Sequence, residues 1–336
     1  MLDGPSMYRR VVIALLAGAC ILSCGEAAPD GEARAGSGPE GRSFANVLTD
    51  SARLDLEAGS MWYRVVGSGS GTPVILLHGG PGFSSHYLKA MEALGDDRPV
   101  VRYDQLGSGK SDVTTDSSLW TVEHFVAQLD SLRSHLGLER VHLYGHSWGT
   151  MLAIEYYRAH PESVESLVLA SAALDARAWE RHARELLTTL PDSMVQAVER
   201  REAEGNYEAP DYEAALDEFY GRYVWLRPVA ADLDSIFATY NPGIYGYMWG
   251  PSEFTVNGTL GDFDATPMLG DIAVPVLFTV GEFDEAGPET IARFGEMTPG
   301  SRVVVIPDAA HITGWDNPEA DVRAVREFLR EVDAGR

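Results

Sequence analysis

The motif GHSWG places Ser147 between two glycines, Gly145 and Gly149. The residues before it, RVHLY, run apolar like a buried strand, and the residues after it, TMLAIEYY, have apolar side chains at helical spacing. A tight corner between a strand and a helix can expose a serine hydroxyl, because flanking glycines leave room for a strained backbone. A serine hydroxyl is a poor nucleophile until a base takes its proton. The motif therefore predicts acyl transfer, provided that the chain supplies a base.

His311 is the candidate base among nine histidines. It lies late in the chain, in a loop that follows the apolar stretch VVVIPDAA. His146 is expected to point away into the turn, and His78 to be a structural hydrogen-bonding residue. A catalytic imidazole needs a carboxylate that fixes its tautomer and stabilises its charged form. Asp284, just past a strand in VGEFDEAGP, is the candidate for that carboxylate.

Three other acidic residues lie near these candidates in the sequence. Glu282 and Glu285, on either side of Asp284, are interpreted as solvated loop charges. Asp308, three residues before His311, is assigned to the turn of its own loop. Asp284 is therefore the only acidic residue of these two loops that is assigned to the catalytic site.

Acyl transfer also needs N–H donors for the developing oxyanion, each worth roughly 3 kcal/mol in mutagenesis. The backbone N–H of Trp148, directly after the nucleophile, is one candidate. The glycine-rich loop HGGPG supplies the other, which we assign to Gly80. Glycines permit a close backbone approach, and Pro81 stiffens the loop.

Apolar strands alternate with helical segments from about Leu54 onward, including predicted helices over 122–136 and 319–332. Continuous apolar strands separated by helices indicate the α/β class, with a mostly parallel central sheet covered by helices on both faces. Ligands of such sheets bind at the carboxyl ends of the strands. The loops that carry the candidate residues all follow strands, so they are expected to gather at one edge.

The alternation of strands and helices breaks between residues 174 and 261, which are helical and rich in charged and aromatic residues. This segment is predicted to be an inserted helical cap over the sheet edge. The core then consists of residues 44–173 and 262–336. Any single Trp or Tyr of the cap is interpreted as packing before it is interpreted as a substrate contact.

The composition of the 336-residue chain, 45% hydrophobic with a formal net charge of −24, excludes some functions. So acidic a protein repels phosphate backbones and has no basic patch, so nucleic-acid binding is not expected. The histidines are scattered without HExxH-type spacing, so neither a metal nor a cofactor is predicted. A small-molecule or peptide ligand fits the composition better.

The N-terminal residues 1–24 are predicted to be a signal peptide. Arg9 and Arg10 precede an apolar run over 11–22, which is too short to span a bilayer. The end of the run, ILSCG, resembles a bacterial lipoprotein cleavage box. Cys24 is preferred to Cys20 as the lipidated residue, because a polar linker starts directly after it.

Residues 25–43 are expected to form a flexible linker, because they hold almost no apolar bulk. The alternative to lipidation is ordinary secretion, with cleavage near Ala27 or Ala28. The protein is therefore expected to be exported, and either lipid-anchored in the bacterial cell envelope or else periplasmic or secreted. A lipid on Cys24 would be its only membrane attachment.

The chain resembles the proline iminopeptidases (prolyl aminopeptidases) of the α/β-hydrolase fold in HGGPG, RYDQLGSGKSD and GHSWGT. MWGPSEFTVNGTLGDFD and PVLFTVGEFDEAGPET look like the branch that contains tricorn-interacting aminopeptidases and bacterial amino-acid amidases. The resemblance spans about residues 55–332. It implies a Ser147, Asp284 and His311 triad and an oxyanion hole formed at Gly80 and Trp148, without a cofactor.

The resemblance also implies that carboxylates on the cap side bind a free α-amino group. Glu253, in GPSEF, falls on one such position. A second acidic partner is expected, and Glu213, Asp217 and Glu218 are unranked candidates for it. Thr150 stands where the family has a small residue after the nucleophile motif.

The expected activity is that of a serine aminopeptidase or amidase. It would remove an N-terminal residue, with proline or small apolar residues favoured, from short peptides or amino-acid amides with a free N-terminus. An esterase or lactonase could use the same triad, since a fold does not determine the leaving group. A surface-tethered binding protein without catalysis is the alternative from another class. A haloalkane dehalogenase is disfavoured, because it needs Asp at position 147.

Overall fold

The computed structural model of the protein describes residues 51–335. The predicted signal peptide over 1–24, the linker over 25–43 and the lipidation site Cys24 lie outside the described residues. No helix within 51–335 is both long enough and apolar enough to cross a bilayer.

A single eight-stranded sheet forms the centre of the described chain, in the order β1-β2-β4-β3-β5-β6-β7-β8. The pairs β1–β2 and β2–β4 are antiparallel, and the other five neighbouring pairs are parallel. The strands are β1 Ser51–Leu56, β2 Gly59–Val66, β3 Val74–Leu77, β4 Val100–Tyr103, β5 Val141–His146, β6 Val164–Ala170, β7 Val276–Gly281 and β8 Arg302–Ile306. The predicted mostly parallel sheet of the α/β class is confirmed.

Ten α-helices follow or connect these strands within the described residues. They are α1 Val122–His135, α2 Trp148–Ala159, α3 Ala176–Leu187, α4 Asp192–Glu204, α5 Pro210–Tyr223, α6 Ala230–Phe237, α7 Pro242–Met248, α8 Pro288–Met297, α9 Thr313–Asp316 and α10 Pro318–Ala334. A long 3₁₀ segment, Ser85–Asp96, connects β3 to β4. Helices α3 to α7 lie between β6 and β7 in the chain, and we refer to these five as the cap helices.

Both faces of the sheet are covered, which explains why its inner strands read as continuous apolar runs. In β3, Ile75 and Leu77 pack in the core that includes α1, α2 and α8. Val74 and Leu76 point to the opposite face, where the 3₁₀ segment and α10 pack. Side chains alternate across a strand, so a strand buried on both sides needs apolar residues at every position.

Polar side chains at the helix starts define where several helices begin. Thr121 accepts a hydrogen bond from the N–H of His124 at the start of α1, and Asp175 accepts one from Ala178 at the start of α3. Such caps satisfy one of the four N–H groups that a helix cannot pair internally. The first turn of α2 lacks a side-chain cap, because Ser147 occupies the capping position and its side chain makes no cap hydrogen bond.

Candidate active site

The corner between β5 and α2 holds Ser147 in a backbone conformation that side chains rarely adopt, with φ 55° and ψ −123°. A Cβ atom at Gly145 would lie 2.3 Å from the carbonyl oxygen of Gly149, and one at Gly149 would lie 2.2 Å from that of Leu77. The two glycines are therefore required by close backbone packing around the corner. Ser147 itself is only partly buried.

Thr150 braces the same corner. Its hydroxyl donates to the carbonyl oxygen of Ser147 at 2.6 Å and accepts the N–H of Ala173 at 3.0 Å. The threonine thus ties the predicted nucleophile to the segment after β6. Thr150 stands where the family has a small residue, and the sequence alone indicated no consequence of this difference. In the structure the threonine hydroxyl stabilises the corner.

The imidazole of His311 contacts the carboxylate of Asp284, with Nδ1 2.8 Å from Oδ1. Asp284 Oδ1 also accepts the N–H of Ala286 at 2.8 Å, and its Oδ2 accepts the hydroxyl of Ser171 at 2.6 Å. Burial favours the neutral acid, but the charge of His311 and these hydrogen bonds outweigh it and lower the pKa of Asp284. Asp284 is therefore a carboxylate at neutral pH and can orient His311.

The end of α5 holds the loops that carry Asp284 and His311. The carbonyl oxygen of Tyr223, its last residue, accepts the N–H of both Glu285 (3.2 Å) and His311 (3.1 Å). Ile312 N–H donates to the carbonyl oxygen of Val224 at 2.8 Å. A cap helix is therefore attached through its backbone to both loops.

The two predicted oxyanion donors lie beside Ser147. Trp148 is the first residue of α2, where the N–H has no acceptor within the helix. Gly80 lines the same cavity as Ser147. The neighbouring N–H of Gly79 already donates to the hydroxyl of Tyr87 at 2.6 Å, which favours Gly80 as the donor of this loop.

Ser147, Gly80 and His311 line one cavity that, with its open mouth, encloses about 1240 Å³. Glu253 and Glu285 line it too. Much of the remaining wall is aromatic or aliphatic, including Phe83, Tyr220, Trp225, Phe237, Tyr240 and Tyr245. An apolar cavity with a few convergent polar groups is the usual form of a small-ligand site. Two of the predicted residues do not line the cavity: the side chain of Trp148 is buried in the core, and Asp284 is buried in contact with His311.

Glu253 lies in the loop after α7 and is fixed by two donors. The indole N–H of Trp179 donates to Oε2 at 2.9 Å, and the hydroxyl of Tyr245 donates to Oε1. The Trp179 ring also packs edge-on against the imidazole of His311, with ring centroids 5.4 Å apart. Burial raises the pKa of Glu253, against the opposing effects of Tyr245 and His311.

Glu285 is not the solvated loop charge that the sequence suggested, since it is only 2% exposed. Its Oε1 lies 4.0 Å from Nε2 of His311, and its buried Oε2 has no hydrogen-bond partner within residues 51–335. Burial, and then the charges of Glu253 and Asp284, raise the pKa of Glu285 well above its usual value. Its position directly after Asp284 was the one sequence signal that it faces the same cavity.

The three cap acids considered from the sequence, Glu213, Asp217 and Glu218, do not line the cavity. Glu213 is buried elsewhere, and Glu218 pairs with Arg222 of its own helix. Glu208, which the sequence did not single out, lies on the cavity wall and is exposed.

His146 also differs from expectation. Its side chain is buried beside the His311 ring, with centroids 4.6 Å apart, and does not turn away from the site. His78, as predicted, makes structural hydrogen bonds: its Nε2 accepts the backbone N–H of Gln105 at 3.0 Å. Over the described residues, no group of three or more His, Cys, Asp or Glu is arranged to hold a metal ion.

Comparison with known proteins agrees with the hydrolase site that the geometry indicates. A profile of the alpha/beta hydrolase fold matches residues 72–205. A proline iminopeptidase of Heyndrickxia coagulans is 41% identical over 273 residues, which are 79% of this chain and 93% of that protein. One of Lactobacillus crispatus is 34% identical over 279 residues, covering 81% of this chain and 95% of that protein. The chain belongs to the proline iminopeptidase family.

A solved member of the family has the same fold. The crystal structure of the proline iminopeptidase of Mycobacterium smegmatis superposes with a TM-score of 0.78 at 35% identity, covering 85% of this chain and 99% of that one. Family membership confirms the resemblance read from HGGPG and GHSWGT, the α/β-hydrolase fold and the assignment of the chain as a hydrolase.

Replacing Asp284 by Asn is expected to slow the reaction of Ser147 by about 10⁴-fold, because an amide neither holds the required tautomer nor stabilises charged His311. The measurement is the second-order rate of labelling by a fluorophosphonate probe, which needs no assumption about substrate. Glu282→Gln is the matched control, since it makes the same chemical change at the acid two residues away in the loop. Labelling of Asp284→Asn within tenfold of the wild-type rate would contradict the assignment.

Proposed function

We propose that the protein is a serine aminopeptidase. It releases an N-terminal residue, with proline or small apolar residues favoured, from short peptides or amino-acid amides through an acyl-enzyme. The observation that carries this proposal is a buried carboxylate in the cavity, that of Glu285. One of its oxygens has no hydrogen-bond partner among residues 51–335, and the other is 4.0 Å from Nε2 of His311.

Glu285 and Glu253 together suit a substrate ammonium group. A buried carboxylate without a partner is unfavourable, and a bound cation supplies both charge and hydrogen bonds. Among the described residues, those lining the cavity include no Lys or Arg that could compete for either carboxylate. Because Glu285 is so close to His311, an amine held there lies about one residue from the reacting carbonyl. This spacing supports removal of a single N-terminal residue.

The reaction follows from the remaining groups. Ser147 Oγ attacks the scissile carbonyl while Nε2 of His311 takes its proton, and Asp284 stabilises the imidazolium. The N–H groups of Gly80 and Trp148 donate to the oxyanion. The imidazolium then protonates the leaving amine, which departs and leaves an ester on Ser147. Water, deprotonated by His311, hydrolyses this ester and releases the amino acid.

An aromatic cluster supports the preference for an apolar N-terminal residue. Phe83 lies in tilted contact with Tyr240, with ring centroids 4.7 Å apart, and edge-on to Tyr245 at 6.5 Å. All three rings line the cavity, and Tyr245 also holds Glu253. A pyrrolidine ring or a small aliphatic side chain can bury its apolar surface here while its amine reaches Glu253.

The alternative is an esterase or lactonase that uses the same residues, because the triad does not specify the leaving group. The two carboxylates favour the aminopeptidase, since an ester substrate without an amine supplies no cation to either of them and no donor to the free oxygen of Glu285. A binding protein without catalysis is the less favoured alternative.

The deciding experiment compares prolyl and alanyl arylamides with their N-acetylated forms and with a simple aryl ester. Hydrolysis of the free-amine substrates is expected, with loss of at least about 100-fold in kcat/KM when the amine is acetylated, because the neutral amide cannot pair with Glu253 and Glu285. Ser147→Ala is expected to abolish turnover. Equal rates for free and blocked amines would favour the esterase, and full activity of Ser147→Ala would refute the mechanism.

Glu285→Gln is expected to lower activity and, at higher pH, to raise thermal stability. The variant should lose about 10- to 100-fold in kcat/KM on free-amine substrates, as expected for a hydrogen bond to a charged group. Because the pKa of Glu285 is raised in the folded state, wild-type stability falls as the pH rises from the unfolded pKa through the folded one. The Tm of the variant minus the Tm of wild type should therefore be larger at about pH 8 than at about pH 5.

The control for this prediction is Glu282→Gln, an exposed neighbour that should show neither change. A Glu285→Gln protein with wild-type kcat/KM, or with the same Tm difference at both pH values, would contradict the assignment of Glu285.

We also propose that the protein is exported and anchored through a lipid on Cys24, as the leader sequence ILSCG suggests. On expression of the full chain in a bacterial host, wild type and Cys20→Ala should fractionate with the membrane, and Cys24→Ala should not. Mass spectrometry of the mature N-terminus identifies the modified residue. Release of all three proteins into the soluble fraction would favour ordinary secretion.

A further inference from the structure

A chain of hydrogen bonds connects three loops of the candidate active site. The backbone N–H of Gly79 donates to the hydroxyl oxygen of Tyr87 at 2.6 Å. The same hydroxyl lies 3.0 Å from Nδ1 of His146, and Nε2 of His146 lies 2.9 Å from the carbonyl oxygen of His311. Tyr87 belongs to the 3₁₀ segment and to none of the three loops that it joins.

The donor and acceptor of each hydrogen bond in this network follow from the carbonyl oxygen of His311 at one end. A carbonyl oxygen only accepts, so Nε2 of His146 carries the proton and donates to His311. Nδ1 of His146 is then an acceptor, and Tyr87 must donate its only hydroxyl proton to it. The oxygen of Tyr87 retains a lone pair for the N–H of Gly79. Every member is satisfied in one arrangement, which makes the network directional and rigid.

Neither side chain of the network changes its protonation state in the working range of pH. Burial, and then the neighbouring His311, lower the pKa of His146 to about 3, so the ring stays neutral. Burial raises the pKa of Tyr87, so its hydroxyl stays protonated. The network therefore holds the three backbone segments in place and does not supply a proton to the reaction.

Three residues of the network adjoin or belong to the proposed reacting groups. Gly79 precedes the proposed oxyanion donor Gly80, and His146 precedes Ser147. The hydroxyl of Ser171, whose proton is directed to Asp284 at 2.6 Å, also lies 3.1 Å from the carbonyl oxygen of His311, the proposed base, so His146 is the main side-chain donor to this carbonyl. The geometry of the three groups is thus set by one connected set of bonds.

We infer that Tyr87 and His146 are positioning residues, which hold the oxyanion loop, the nucleophile corner and the His311 backbone in mutual register for acyl transfer. This inference rests on the proposed function only in needing Ser147 as the nucleophile. It does not depend on whether the substrate carries an amine. The oxyanion forms only during acylation and deacylation and is absent from the bound substrate, so an error in register should affect kcat far more than substrate binding.

The test is Tyr87→Phe, which removes the hydroxyl and leaves both the Gly79 N–H and His146 Nδ1 without their partner. We expect kcat to fall roughly tenfold or more on both the prolyl arylamide and the aryl ester, with KM within about twofold, because a small misplacement of reacting groups is costly. The control is Tyr103→Phe. Tyr103 is fully buried, and its hydroxyl has no hydrogen-bond partner within the described residues, so kcat should stay at the wild-type value.

A graded pair of variants at His146 tests the other end of the network. His146→Gln has an amide N–H that can still donate to the carbonyl oxygen of His311, whereas His146→Leu has no donor. The Gln variant should therefore retain several times more kcat than the Leu variant. The double variant Tyr87→Phe, His146→Leu should lose little more than His146→Leu alone, since both changes break the same network.

Several outcomes would overturn the inference. One is a Tyr87→Phe enzyme with kcat within twofold of wild type and only a lower Tm, which would indicate a packing role. Others are a rise in KM at constant kcat, or equal activity of the Gln and Leu variants. Wild-type turnover of the aryl ester but not of the arylamide would refute the aminopeptidase proposal alone, because the variants would still be compared on the ester. A wild-type protein that hydrolyses neither substrate would overturn both.

Discussion

An ionised carboxylate buried beneath the active site is the constraint on which the site depends. Asp284 can remain charged there only if donors occupy its oxygens, since an unpaired buried charge is very costly. Those donors come from the ends of separate strands: His311 after β8, Ser171 after β6, and Ala286 in its own loop after β7. Solvating one charge therefore draws three strand ends together, and the imidazole is oriented as a result.

The carboxylates of Glu253 and Glu285, on the cavity wall, have fewer or weaker donors than Asp284. Glu253 has two neutral donors, and one oxygen of Glu285 has none within the described residues. Both have a raised pKa, because burial penalises their charge. A site that leaves acceptors unsatisfied in the free protein loses stability, and a ligand that satisfies them recovers it on binding. Unsatisfied acceptors of this kind favour a cationic ligand, and they destabilise the free protein locally.

The cap helices contact the core loops that carry the candidate residues. The end of α5 accepts hydrogen bonds from the N–H groups of Glu285 and His311, and Trp179 of α3 contacts both Glu253 and His311. Residues from the cap thus set the position of groups on the core loops. The network through Tyr87 and His146 belongs entirely to the core. It connects the Gly79 loop and the Ser147 corner to the same His311 backbone that the end of α5 holds.

The sequence by itself determined the features that depend on short stretches of chain. The α/β class, the parallel sheet and the candidates Ser147, Asp284, His311 and Gly80 could be read from local motifs, because a strand followed by a loop carries its polar residue to a known edge. The edge strand β1 was not recognised, since its mostly exposed residues become a strand only by pairing with β2.

The burial of particular side chains was decided by the tertiary structure alone. Glu285 reads as an ordinary loop acid, whereas in the fold its N–H donates to the end of α5, more than 60 residues earlier in the chain, and its side chain is buried. His146 turns inward because Tyr87 and the carbonyl oxygen of His311 offer it partners on both sides. Solvation and hydrogen bonding depend on every neighbour in space, and the order of residues along a chain does not specify those neighbours.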